Sequence, residues 1–95
     1  MNQDTLNYIN YILSKKEKDS ESIRIGRECA SFYKNKINQM LLDDKINTSI
    51  LNELRDRVQM DYEDIINDCK HRLQSQTTFD NINMMTLILN FILSI

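Results

Sequence analysis

His71 is the single histidine of the 95-residue chain, and histidine is the side chain whose ordinary pKa suits proton transfer near neutral pH. A catalytic histidine needs a partner that fixes its tautomer and orientation. At helical spacing the nearest candidate is Asp68, three residues earlier. The pair resembles half of the carboxylate–histidine motif by which helical bundles hold two metal ions. The other half needs a second histidine, and the chain has none. Asp68 and His71 therefore read as a surface ion pair. Cys69 lies two residues from His71, and on a helix such neighbours point in different directions.

Asp61, Asp64 and Asp68 stand three and four residues apart and share one helical face. They could hold a divalent cation weakly or receive basic side chains, but a solvated acidic face is the simpler reading. A calcium loop needs alternating oxygen ligands around a central glycine. Gly26 is the only glycine, so that loop and glycine-rich phosphate cradles are both absent, as are paired zinc-type cysteines. No catalytic, cofactor-binding or metal-binding residue is assigned, and a non-enzymatic protein is expected.

Lys15, Lys16, Lys18, Arg24 and Arg27 form a basic group around the start of the second helix, interleaved with Glu17, Asp19, Glu21 and Glu28. With a net charge of −2, the chain has no overall positive field to draw in nucleic acid or an anionic membrane. Nucleic-acid binding or transcriptional regulation through the basic group is the alternative function. Its expected signature is binding that weakens steeply with salt. Cys29 and Cys69, with no recognisable secretory signal, read as reduced cytoplasmic thiols packed as small hydrophobes, although a bridge between adjacent helices stays open.

The elements that carry these residues follow from composition and period. The chain has no proline and one glycine, and sheet proteins draw heavily on both for their turns. A single all-α domain over 1–95 is expected: a small antiparallel bundle with a long central helical hairpin, a short N-terminal helix and a strongly apolar C-terminal helix. Thr5 to about Leu13 sets Leu6, Ile9 and Leu13 on one face, with Asp4 as N-cap and a charged connector over 14–18. From about Ser20 to Leu42, Ile23, Gly26, Ala30, Tyr33, Ile37 and Met40 repeat as a heptad seam. From about Thr48 to Gln74, capped by Asn47 or Thr48, the line Leu51, Leu54, Val58, Tyr62, Ile65, Cys69 and Leu73 follows an eleven-residue repeat, with a charged outer face. Thr77 and Asp80 fit a capping box that starts the last helix near Thr78 and sends it to the final residue.

The last helix is the informative one. From Ile82 to Ile95 its polar residues are Asn83, Thr86, Asn90 and Ser94, spaced three, four and four apart. At about 100° per residue they make one narrow stripe. Met85, Ile88, Ile92 and Ile95 lie opposite. Met84, Leu87 and Phe91 form one flank; Ile82, Leu89 and Leu93 form the other. An outer helix of a small bundle carries an apolar stripe a little over about 100° wide, and this arc is far wider. Either the helix is central and wrapped by the other three, or a partner covers its flanks. The width favours the partner, because exposed apolar patches mark interfaces. The expected function is a small cytoplasmic adaptor, chaperone-like subunit or inhibitor. Ile82, Met84, Leu87, Leu89, Phe91 and Leu93 would contact a helical groove of a protein partner or of a second copy in a homodimer. The apolar run has about fourteen residues, short of the roughly twenty that span a bilayer.

Overall fold

The heptad seam of the second helix is its buried line. Ile23, Gly26, Ala30, Tyr33, Ile37 and Met40 are all buried, which is how one edge of a helix meets a bundle core. The computed structural model describes residues 3–15, 21–42, 47–69 and 76–94, with the backbone alone at 21, 41, 42, 68 and 69. These residues form four helices, α1 (Gln3–Ser14), α2 (Glu21–Leu42), α3 (Thr48–Cys69) and α4 (Gln76–Leu93).

Local chemistry sets the helix starts. Asn47 caps α3: its side-chain oxygen accepts from the amides of Ser49 at 2.9 Å and Ile50 at 3.3 Å, and its carbonyl accepts from Leu51 at 2.9 Å. Two of the otherwise unpaired first-turn donors are satisfied this way. Asp4 does not take the expected N-cap position. It lies inside the first turn of α1, where a carboxylate favours the positive end of the helix dipole. The capping box at Thr77 and Asp80 is also corrected, because α4 already begins at Gln76 and Asp80 turns across to α1.

Cross-helix contacts fix the direction of each helix. Tyr33 of α2 meets Asp61 of α3, and Lys36 meets Glu53, so α2 and α3 run antiparallel. Tyr8 and Tyr11 of α1, and Lys15 just past its end, all reach Asp80 of α4, and Tyr8 also accepts from Asn83; α1 and α4 are antiparallel too. α1 packs on α2 and α4, and α3 packs on the same two helices. α2 and α4 touch across the short diagonal, whereas α1 and α3 do not approach each other among the described residues. The core is one cluster drawn from all four helices, with Ile9 and Ile12, Tyr33 and Ile37, Leu54 and Val58, and Met84, Met85 and Ile88 among its members.

Gly26 sits on the α2–α4 diagonal. A Cβ built there would lie 2.3 Å from Asn81 Oδ1, so glycine is what lets the Asn81 side chain in. Asn81 is buried and its Nδ2 donates to the Ser22 carbonyl at 3.0 Å, while its Oδ1 has no hydrogen-bond partner. One polar contact therefore ties α4 to a single position along α2.

On α3 the buried line runs through Leu54, Val58 and Asp61, at spacings of four and three. Tyr62, expected in this seam, is half-buried at its edge. The expected line of Leu51, Leu54, Val58, Tyr62 and Ile65 does pack on the core, and Asp61 joins it beside Tyr62 because its carboxylate finds partners inside. On α1 the buried residues are Thr5, Ile9 and Ile12, with Leu6 and Leu13 flanking them. Thr5 occupies a core position that its type did not suggest.

Candidate functional site

α4 carries its expected pattern. Asn83, Thr86, Asn90 and Ser94 are all exposed, and Met85, Ile88 and Ile92 are buried opposite them. Thr86 donates its hydroxyl to the Ile82 carbonyl at 2.9 Å, which keeps the polar stripe narrow. At the far end the Ser94 hydroxyl reaches the Phe91 carbonyl at 2.7 Å, and its amide reaches Asn90 and Phe91. Those bonds hold the last turn closed around Leu93.

The flanks have separate fates. Asp80, Leu87 and Phe91, spaced seven and four, share the side of α4 that meets α1, with Met84 beside them. Met84 has no exposed surface and Phe91 packs partly against the core. Met84, expected at a partner contact, thus belongs to the chain's own interior, and this flank is covered in part by the chain itself. α1 is short, yet it lies along this side. The other flank falls on the α3 side. Leu89 is partly buried against the core, Ile82 is half-buried, and Leu93 is 82% exposed. Phe79, 43% exposed, lies one turn before Asn83 on the outward face.

Two polar clusters brace the bundle. In the first, Asp80 is almost fully buried and accepts from Lys15 Nζ at 2.7 Å, Gln76 Nε2 at 3.0 Å, Tyr11 Oη at 3.1 Å and Tyr8 Oη at 3.4 Å. The Lys15 ammonium also sits 5.1 Å from the Tyr11 ring centre. Burial pushes the Asp80 carboxyl up, but hydrogen bonds from Lys15, Gln76 and Tyr11 outweigh it and leave its pKa below the usual value. Burial likewise raises Tyr8, helped by the charge of Asp80.

In the second cluster Asp61 accepts from Tyr33 Oη at 2.6 Å and from Arg57 Nε at 3.0 and 3.1 Å. Asp61 is therefore not part of a solvated acidic face. Asp64 is exposed, and the side chain of Asp68 lies outside the described residues. The Arg57 guanidinium stacks 4.7 Å from the Phe32 ring centre. Burial, followed by the charge of Asp61 alongside, pushes the Cys29 thiol up to about 12. A thiol so hard to ionise is a poor nucleophile. Tyr33 is raised well above its ordinary value, first by burial.

Of the residues first considered for chemistry, His71 lies outside the described residues, as do Lys16, Lys18 and the Cys69 side chain. Cys29 is a free, buried thiol. Lys15 is committed to Asp80 and Arg24 pairs with Glu28 at 3.0 Å, so two members of the basic group already have acidic partners. Among the described residues no three His, Cys, Asp or Glu side chains converge on a metal position, and no helix is long and apolar enough to cross a membrane. The residues that sequence reasoning missed are Asp61 and Asp80. The signal for Asp61 was Tyr33: a tyrosine inside a seam requires a partner for its hydroxyl.

No protein-family model, curated protein or solved structure matches the chain.

Proposed function

We propose that the chain is a non-enzymatic interaction module that binds a helical partner, or a second copy of itself, through α4. The observation that carries this reading is Leu93. It is a leucine in the last turn of a helix and 82% exposed, on one line with Leu89 and Ile82 at spacings of four and seven. No charged residue occurs from 81 to 95, so water competes poorly for this edge. Burying one such side chain against a partner contributes about 1.5–3 kcal/mol. An apolar line of this spacing is how a helix is read by a facing groove. A reducing cytoplasm is the proposed compartment, on the ground that Cys29 is a free, buried thiol.

The test compares wild type with Leu93→Asp by sedimentation equilibrium and circular dichroism. Concentration-dependent association that weakens about tenfold or more in the variant, with helicity retained, supports the reading. Wild-type protein that stays monomeric at high concentration overturns the second-copy form. For a heterologous partner, binding unaffected by Leu93→Asp overturns the assignment of this edge.

A further inference from the structure

We propose that α1 is a detachable cover for the Met84–Leu87–Phe91 side of α4, and that its release offers that side to an incoming amphipathic helix. The second half rests on the interaction reading above; the first stands on the packing alone.

α1 is the smallest structural unit of the bundle. It has 12 residues, at the lower limit of the roughly 12–15 at which an isolated helix becomes even marginal in water. It packs on α2 and α4 only, among the described residues. Its hold is divided between two places. Ile9 and Ile12 fill the core, and the Lys15 end is tied to Asp80 by Tyr8, Tyr11 and Lys15. Further polar ties are exposed ones, from Lys34 to Asn10 at 3.0 Å and from Asn83 to the Tyr8 hydroxyl at 3.4 Å.

The docked state is imperfect. The Thr5 hydroxyl is buried without a hydrogen-bond partner, and release returns it to water. Release likewise returns Asp80 to solvent, which offsets part of the loss of its donors Tyr8, Tyr11 and Lys15. What α1 leaves behind is an apolar strip one helix wide with a carboxylate at one end. The occupant it fits is a helix of about three turns, with an apolar line like that of Ile9 and Ile12 and a cation or hydroxyl at its C-terminal end for Asp80.

Amide hydrogen exchange of the full chain tests the cover without any partner. Amides of α1 should exchange about tenfold or more faster than those of α2 and α3. Asp80→Asn should speed α1 about a further tenfold and leave α2 and α3 unchanged. Tyr11→Phe, a milder loss, gives the same selective pattern should Asp80→Asn fail to fold. α1 amides that open only together with the other helices, or variants that speed all helices alike, overturn the proposal.

The receiving strip is tested with a fluorescent synthetic peptide copying residues 3–15. It should bind Ile9→Asp chain more tightly than wild type, because the chain's own α1 then competes less. No binding to either chain overturns the exchange step. Neither experiment touches the Leu93 edge, so their failure is separable from failure of the interaction reading.

Discussion

Tyr33 has no exposed surface, yet its hydroxyl ends on a carboxylate that is itself nearly buried. Asp61 tolerates that position because Arg57 supplies a charged donor from one turn earlier and Tyr33 supplies a short hydrogen bond from the facing helix. Removing the hydroxyl leaves the pair standing but less satisfied. Tyr33→Phe should destabilise the chain by about 1.5–3 kcal/mol, the usual worth of a hydrogen bond to a charged group, measured as a lower urea midpoint with an unchanged slope. The residue types alone pointed elsewhere. Asp61 stands seven residues from Leu54, three from Val58 and four from Ile65, which is core register. Its charge nevertheless assigned it to the solvated side. Position favoured the core, side-chain type favoured water, and the vote of the facing Tyr33 decided.

The seam of α2, which carries no charge, was legible: each of its expected residues is buried. The start of α3 was legible too, where Asn47 caps it. The start of α4 was not legible, because Asp80 serves a distant lysine and two tyrosines instead of its own helix end. Nor could the sequence tell which flank of α4 the chain covers itself, since that depends on where α1 lands. The α2–α4 diagonal offers a sharp test of element packing. Alanine favours a helix interior over glycine by about 1 kcal/mol. At position 26 the added methyl would meet Asn81 Oδ1 at 2.3 Å. Gly26→Ala should therefore lose stability, by about 1–3 kcal/mol as for other overpacked sites. Adding Asn81→Ala should recover part of the loss, and a double-mutant cycle read by urea unfolding checks the coupling. Additive losses would mean that the two residues do not interfere.

At the level of the whole molecule, acid should weaken the α1–α4 junction. The pKa of Asp80 is lowered in the folded chain, so the unfolded chain binds its proton more readily. Its contribution to stability is present above the unfolded value of about 3.9 and is lost as pH falls through the lower folded value. Unfolding free energy should decline on acidification below about pH 4, and Asp80→Asn should flatten that decline; an equally steep acid limb in the variant would count against it. The arrangement of the four helices adds a consequence of its own. Because α2 and α4 meet directly while α1 and α3 stay apart, the cross-section is a rhombus, two triangular prisms sharing one wall. The Asp80 cluster belongs to one prism and the Asp61 cluster to the other. Evolution can therefore rewrite one outer corner while the opposite corner keeps its own geometry, provided the shared wall at Gly26 and Asn81 is left alone.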